Sequence, residues 1–547
     1  MLRYLNNNLC KAGKPLTRRF LFGAMAFFCL AGCMVGPDYR SPNMKMPVDF
    51  ITSSQGGQKP IENSINKPVI DAVKWWQSCN DQELNSLIEQ AIRSNPNIEI
   101  ALYRIQEART KEALIIGTAL PEIGVGGGGG GGTGSDISRG RAAAPLVAAD
   151  NTKGLTKITH VFGFDAEWEL DLFGKYRREM EASAYDTEAA IAARNTVLIS
   201  IVADVARAYI DMRALQMQFM VLQRNTVVAQ KYLHVTQARF NAGITNELDL
   251  ILAQRQLAAL QAEKMPLAAQ VHAAQYVIAV LLGKFPEDLA NELENPGMVP
   301  SLPEKIDAGL PLDLLRRRPD IREAERELAA DTARVGVATA NLFPHVSLTG
   351  GVGYQGQGLG VTPDETSFIW SVGPSVSWSL LDFGTLDALV TIADLRTREK
   401  LVNYKQTVLD AVREVDTSIG SYAGQQDRLR NLGNAMIASQ RAVSIATQRY
   451  DWGLTDALNV IDAERQEYDL EKQYVSSLQT ATEQFIVLYK ALGGGWEQYQ
   501  SFPAISQPQP AVLAIFTQLL NSYDLPKDSP PVKEIPESTS TGFLPAK

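Results

Sequence analysis

The stretch His160-Val161-Phe162-Gly163-Phe164-Asp165-Ala166-Glu167-Trp168-Glu169-Leu170-Asp171-Leu172 changes polarity at every step from Phe164 onward. Phe162, Phe164, Ala166, Trp168, Leu170 and Leu172 fall on one parity, and Asp165, Glu167, Glu169 and Asp171 on the other. A period of two describes a strand with one apolar and one polar face. Residues 370–380 repeat the pattern, with Trp370, Val372, Pro374, Val376, Trp378 and Leu380 set against Ser371, Gly373, Ser375, Ser377 and Ser379. Val346, Leu348, Val352 and Tyr354 mark the strand before it, and Ile123 and Val125 begin a weaker one that runs into seven glycines at 126–132. These lengths suit a transmembrane strand of about 9–11 residues, apolar toward lipid and polar toward a lumen. Four strands do not close a barrel, and open edges in lipid leave backbone groups unpaired at a cost of several kcal/mol each. Three copies supply twelve strands, an even number in the observed range. A two-hairpin sheet packed on a soluble core carries the same alternation. Trp168 and Trp378, at matching strand ends, favour the membrane reading because aromatic residues concentrate at its interfaces.

Around these strands the chain repeats itself. Asn95-Pro96-Asn97-Ile98 returns as Arg318-Pro319-Asp320-Ile321, and Leu120-Pro121-Glu122-Ile123 as Phe343-Pro344-His345-Val346, both at an offset of 223. Further on, Trp168 matches Trp378 and Phe173-Gly174 matches Phe383-Gly384, at an offset of 210. Arg239-Phe240-Asn241-Ala242-Gly243-Ile244-Thr245 matches Arg449-Tyr450-Asp451-Trp452-Gly453-Leu454-Thr455 at that same offset. The first copy therefore has the longer loop between its strands. Gly174 to Gly243 and Gly384 to Gly453 are equal intervals of 69 residues, free of proline. As helices they reach about 100 Å at 1.5 Å per residue. The 39 residues that follow in each copy make a helix of about 58 Å, and residues 97–120 one of about 36 Å. Pro266 is expected to bend the first of the 39-residue segments. Tyr474, Leu478, Ala481, Phe485, Leu488 and Leu492 are spaced alternately by four and three, the seam of helices packed side by side.

The first 33 residues read as an address. Arg3, Lys11, Lys14, Arg18 and Arg19 precede an apolar run at 20–30 that is too short to span a bilayer. The run ends in Leu30-Ala31-Gly32-Cys33, which resembles the lipobox of bacterial lipoproteins, with Cys33 accepting a diacylglycerol and becoming the new N-terminus. Ordinary cleavage after small residues is the alternative, with Cys33 incidental; Arg18-Arg19 sits in a poor register for a twin-arginine signal. Removing residues 1–32 takes away five positive charges and shifts the net charge from −9 to −14. No basic excess is present to neutralise phosphates, so nucleic acid is not an expected partner. Cys10 and Cys29 leave with the signal and Cys33 carries lipid. Cys79 is then alone and reads as a small buried side chain.

Taken together, these residues resemble the TolC-like outer-membrane efflux family in its lipidated branch. The start Cys33-Met34-Val35-Gly36-Pro37-Asp38-Tyr39 looks like that branch's N-terminus. Trp75-Trp76 with Asp81, Leu84, Leu87-Ile88, Ala91 and Asn95 looks like its first-helix motif, and Arg239–Gly243, Arg449–Gly453 and 491–496 like its turns and end. Cys79 stands where the family usually places an aromatic, which leaves only the local packing there open. The resemblance implies a mainly α chain with a small transmembrane β part: a long α-helical coiled-coil barrel continuous with a β-barrel, four strands per chain, closed as a homotrimer. With the signal and the internal repeat read above, the chain divides into a signal peptide at 1–32, a lipid-anchored segment at 33–75, repeats at 76–290 and 311–496 joined by a linker at 291–310, and, beyond the reach of the resemblance, a tail at 497–547 whose proline content reads as mostly disordered. The resemblance further implies a passive efflux duct in the outer membrane of a Gram-negative bacterium, working with a periplasmic adaptor and an inner-membrane transporter and exporting small molecules. A type I protein-secretion duct and a non-conducting periplasmic scaffold are the competing functions.

The candidate functional residues follow from that geometry. The turns at 239–245 and 449–455 lie opposite the strands and form the periplasmic mouth. Arg239, Gly243, Thr245, Arg449, Gly453 and Thr455 are the candidates for adaptor docking, although helix ending and capping by Thr245 and Thr455 explain the same residues. Asp249, Asp451 and Asp456 lie near the mouth, where threefold symmetry makes each inward carboxylate a ring of three; a solvated helix charge is the plainer reading. Asp165, Glu167, Glu169 and Asp171 would line the lumen and favour cations. No enzyme is expected. His160, His234, His272 and His345 lack metal-ligand spacing, no H-E-x-x-H or G-x-S-x-G occurs, and the glycine tract has no Lys-Ser/Thr after it to bind phosphate. No cofactor is expected.

Overall fold

The computed structural model describes residues 34–44, 46–47, 72–133, 156–289, 293, 295–300, 317–357 and 368–497. Cys33, the expected signal peptide at 1–32, residues 498–547 of the expected tail and most of the expected linker at 291–310 lie outside these. A 3-10 helix, Ala72–Cys79, leads into α1 (Gln82–Ser94), α2 (Pro96–Thr118), β1 (Glu122–Thr133), β2 (Thr156–Leu170), α3 (Lys175–Asn241), α4 (Glu247–Leu281) and the short α5 (Pro286–Leu289). Next come α6 (Pro319–Ala340), β3 (His345–Gln357), β4 (Phe368–Ser377), α7 (Thr385–Asp451) and α8 (Ala457–Ala491). The two runs match in length. α3 and α7 have 67 residues each, α4 and α8 have 35 each, and α2 and α6 have 23 and 22.

Local sequence sets the helix ends. Asp81 caps α1, accepting from the backbone N–H of Glu83 (2.9 Å) and Leu84 (3.0 Å). Asn95 caps α2, with Pro96 at the first helical position. Its side-chain amide donates to the Leu281 carbonyl (2.7 Å) at the end of α4. In the second run Arg318 takes the matching place and donates to the Ala491 carbonyl (2.9 Å) at the end of α8. Each short upper helix is thus fixed onto the end of its own lower helix.

Both α1 and α8 pack on α3. Leu84, Leu87, Ile88, Ala91 and Ile92 of α1 are buried, as are Leu198, Val202, Val205, Tyr209 and Met212 of α3. Trp75 stacks on Tyr489 at 5.7 Å and meets Phe485 edge-on at 5.9 Å. The expected seam holds at Ala481, Phe485, Leu488 and Leu492, all buried, while Tyr474 and Leu478 are half-buried. Cys79 is buried and free, and burial with nearby Asp81 pushes its thiol up to about 12, so it is inert packing. Arg213 is buried and donates to Glu83, to Gln216 (2.7 Å) and to the Asn295 carbonyl (2.8 Å), while Leu293 is fully buried. The described part of the linker therefore packs on α3. Pro266 lies inside a single continuous α4. Leu260 on the turn before it, and Leu267 just after, pack with Leu222 and Tyr468, which holds the helix together across the missing N–H.

The four strands form one antiparallel sheet in the order β1-β2-β3-β4. The expected strand 160–172 ends earlier, at Leu170, so Asp171 and Leu172 lie in the turn; likewise Trp378 and Leu380 lie past the end of β4. The cause at Asp171 is local. Its carboxylate accepts from the backbone N–H of Arg177 (3.1 Å) in the first turn of α3, which draws it out of the ladder.

Candidate functional site

Residues directly opposite one another in a sheet share a face. In this sheet Ile123 faces Ala166, Val125 faces Phe164, and Phe164 in turn faces Val352. Trp168 faces Leu348, Leu348 faces Pro374, and Val352 faces Trp370. The apolar parities of all four strands therefore coincide. This face is open: Ile123, Val125, Phe162, Phe164, Trp370, Val372 and Val376 are all more than half exposed in the single chain. A contiguous apolar face on this scale does not suit water. β1 and β4 each have one edge with no strand partner among the described residues.

The opposite face is polar. Asp165 stands opposite Gly124 and Gly351, and Glu167 opposite Glu122 and Thr349; all three acids are exposed. Glu122, missed in the sequence, brings two carboxylates face to face across β1 and β2. That arrangement repels unless water or cations occupy the space. Its signal was available: Glu122 lies on the parity opposite Ile123 and Val125. Glu169 and Asp171 differ from the other two lumen candidates. Glu169 accepts from the Tyr176 hydroxyl (2.8 Å), meets His345 Nδ1 at 2.8 Å, and lies 3.4 Å from Lys175 Nζ. Asp171 pairs with Arg177 Nε at 3.1 Å. Both belong to a belt where strands turn into helices.

Next to that belt, on its helical side, Met34 to Asp38 lie against the start of α3. Arg178, whose side chain is 1% exposed, donates from Nε to the Val35 carbonyl (3.1 Å) and from its Nη atoms to Asp38 (2.7 Å), Glu181 (2.7 Å) and the Gly36 carbonyl (3.3 Å). The Val35 N–H donates to the Phe173 carbonyl (3.2 Å). Gly36 packs on Gly336 so closely that a Cβ would fall 2.3 Å from the Gly336 Cα. The residue directly after Cys33 is thus held at the base of the sheet. Nothing in the sequence near Arg178 signals this, because its partners lie some 140 positions earlier.

At the far ends of α3 and α7 the turns match bond for bond. Ile244 N–H donates to the Arg239 carbonyl (2.9 Å) and Leu454 N–H to the Arg449 carbonyl (2.8 Å), with Gly243 at φ +71° and Gly453 at φ +72°. The caps of the next helices fall one residue later than expected. Asn246 accepts from the Asp249 N–H (2.9 Å) and Asp456 from the Asn459 N–H (3.4 Å). Thr245 donates instead to the Asp249 carboxylate, and Thr455 accepts from the Asn459 amide (2.8 Å). Both pairs span one turn of the helix that they open. Asp249 and Asp456 thus have local partners, while Asp451 is exposed. Arg239 lies over the Tyr450 ring at 4.3 Å, whereas Arg449 is exposed. Ile244, Leu248, Trp452, Leu454 and Leu458 are all more than half exposed here. These apolar tips, unrecognised from sequence, had a visible sign in two pairs at the repeat offset, Ile244 with Leu454 and Leu248 with Leu458.

No group of metal-ligating residues occurs among the described residues. What the arrangement offers is surfaces: an apolar sheet face, a polar one, and an exposed helical mouth. The family described as Outer membrane efflux protein matches residues 87–284 and 310–494. The chain is 28% identical over 482 residues to Nodulation protein T of Rhizobium leguminosarum bv. trifolii, spanning 87% of this chain and 98% of that one. It is also 28% identical over 481 residues to the cation efflux system protein CusC of Escherichia coli O6:H1, spanning 86% and 98%. Among solved structures it is similar to the outer-membrane channel OprN, at 34% identity and a TM-score of 0.75 over 86% of this chain and 100% of that one. The chain belongs to the outer membrane efflux protein family and is an outer-membrane efflux channel.

Proposed function

We propose that this channel is a passive, trimeric duct of a tripartite pump, anchored by lipid on Cys33 and open to the periplasm at the ends of α3 and α7. The observation that carries the reading is the four-stranded sheet with one exposed apolar face and two unpaired edges. Three copies supply twelve strands, enough to close a barrel whose apolar side meets lipid. The clamp on residues 34–38 supports the anchor, because it holds the chain just after Cys33 at the sheet's base. The exposed apolar tips Ile244, Trp452 and Leu454 support docking of an adaptor, with Arg239, Gly243, Thr245, Arg449, Gly453 and Thr455 forming the turns that present them. Asp165, Glu167 and Glu122 line the lumen. Energy and cargo choice belong to the transporter, and the cargo is of small-molecule class. The test is purified, lipid-reconstituted protein. A trimer that conducts ions across a planar bilayer is expected; a nonconducting monomer refutes the duct.

A further inference from the structure

Where α6 meets the end of α8, the helices enclose a cavity of about 420 Å³, within the size range of small-molecule sites. One chain builds its lining, from α3 between 196 and 207, the start of α6 at 318–320, α7 between 413 and 421, and the end of α8 at 484–493. Ile199, Pro319, Val487 and Ala491 supply its apolar part.

The charge of the lining is unbalanced. Its two acids, Asp320 and Glu414, both accept from Arg318, at 2.6 and 2.9 Å. Arg413 is exposed and pairs with Asp410 at 3.3 Å. Arg207 and Lys490 are left over. Both are half-buried, and neither has a hydrogen bond or an ion pair among the described residues. Glu483 lies within electrostatic reach of Arg207 but does not bond to it. Ser421 and Gln484 add polar side chains that are equally unpartnered. The helix junction itself does not call for these cations. α4 ends in the same kind of turn, with Gly283 at φ +67° against Gly493 at φ +74°, and has no basic residue in its last turn. At the repeat offset of 210, Lys490 corresponds to Val280 and Arg207 to Thr417. The fold is thus built twice, once without either charge.

The cavity opens on one particular side of the helical wall. On α3, Tyr209 donates to Asp81 (2.7 Å), the cap of α1; Arg207 lies two residues earlier, about 200° round the helix. On α8, Tyr489 stacks on Trp75, and Val487 likewise lies two residues earlier. The opening therefore faces away from residues 75–94. Those residues follow the segment next to the lipid anchor, which lies outside the duct, and bringing them inside would thread the chain between packed helices. The cavity accordingly faces the lumen. Along α3, Lys175 and Ile199 are about 36 Å apart. That is more than three Debye lengths at 0.1 M salt, so the acids of the sheet do not cancel a cationic site here.

Resting on the duct reading for its place in the lumen, we propose that this cavity is a binding site for amphiphilic organic anions, one per chain. Arg207 and Lys490 take the acid group, and Ile199, Val487 and Ala491 take the apolar body. Cargo carrying a carboxylate on an apolar frame is the class that fits, because an inorganic anion leaves the apolar lining unused.

The test uses the full-length lipoprotein in a nonionic detergent, with 2-naphthoate as the ligand and 2-naphthamide as its neutral counterpart. Equilibrium dialysis at low salt should show one saturable 2-naphthoate site per chain. Arg207→Gln combined with Lys490→Gln should weaken it by about tenfold or more, and Lys490→Arg should retain it. 2-Naphthamide should bind the parent and the double variant alike. Should the double variant fold poorly, Ser421→Tyr fills the cavity with every charge kept and should abolish the same binding; retained binding there overturns the location. Equal 2-naphthoate affinity in the parent and a folded charge variant overturns the site. Competition by inorganic phosphate as strong as by unlabelled 2-naphthoate overturns the choice of an organic anion. Planar-bilayer conductance judges the duct reading separately. Because one chain builds the cavity, a nonconducting protein that still binds refutes the duct and leaves the site standing. In a conducting channel at low salt, saturating 2-naphthoate should change the current through the parent and not through the double variant. Binding with no change in current overturns the placement in the lumen.

Discussion

Arg178 has the clearest single-residue role. Its guanidinium is buried and holds two backbone carbonyls and two carboxylates, one of them on a segment that is otherwise peripheral. Breaking a buried ion pair from one side costs about 3–5 kcal/mol, since the partners lose compensation. Because Asp38 is mostly exposed, the low end is expected for Arg178→Ala. The sharper readout is local. Residues 34–44 should detach, and trypsin should cut after Arg40 much faster than in the parent; an unchanged cleavage rate would dismiss the clamp. Glu483 on α8 offers a pH test. Burial, and then Asp211 on α3, push its carboxyl up to about 7, while Gln479 donates to both acids at 2.8 and 2.9 Å. The folded state therefore favours the protonated form. Its stabilisation is complete below the ordinary carboxylate range and is lost as pH rises through about 7. Glu483→Gln imitates the protonated acid and should raise the melting temperature at about pH 8 and leave it nearly unchanged at about pH 5. Some slope should persist, because Glu464 and Glu323 are also pushed up to about 7 by burial and neighbouring acids. A variant whose melting curve tracks the parent at both pH values would exclude this role.

At the scale of elements, equal sequence does not mean equal surroundings. Gly174 and Gly384 precede the two long helices with φ of +81° and +85°. An alanine at Gly384 meets nothing within 4 Å, so Gly384→Ala should cost only the left-handed strain, about 1–2 kcal/mol. At Gly174 the added Cβ falls 2.7 Å from Met34 Cγ and 2.9 Å from its Cα, a collision with backbone. Gly174→Ala should therefore lose roughly twice as much in a thermal melt and release the N-terminal segment; matching losses at the two sites would contradict the contact. The same contrast shows what sequence could and could not reveal. Strand faces were legible because a period of two is written in consecutive residues such as Phe164 to Leu170. Helix lengths were legible because glycines bracket them. The helix caps were misplaced by one because Thr245-Asn246 and Thr455-Asp456 each offer two capping residues in succession, and only backbone geometry chooses between them. Asp171 left the strand through a bond to a residue six positions away. The Arg178 clamp depends on a fold-level approach that no local pattern encodes.

For the whole molecule, the proposed lumen yields a graded prediction in place of a uniform one. Sequence parity put Asp165, Glu167, Glu169 and Asp171 on one face, but the structure divides them. Glu169 sits among Lys175, Tyr176 and His345, and Asp171 is matched by Arg177. Their charges are locally balanced and attract few additional ions. Asp165 and Glu167 are exposed on the polar face, with Glu122 directly across from Glu167. In a threefold assembly these three positions set nine carboxylates around one opening. Such a concentration of like charge raises local cation concentration, and screening confines its effect to about 10 Å at 0.1 M salt. Reversal potentials in a potassium chloride gradient across a planar bilayer should therefore show cation preference in the parent channel. The triple variant Glu122→Gln, Asp165→Asn, Glu167→Gln should lose most of that preference, and the loss should grow clearer at low salt. Glu169→Gln should shift the potential little. If Glu169→Gln moved the reversal potential as far as the triple variant, the belt residues rather than the exposed acids would govern permeation, and the lumen assignment would have to be redrawn.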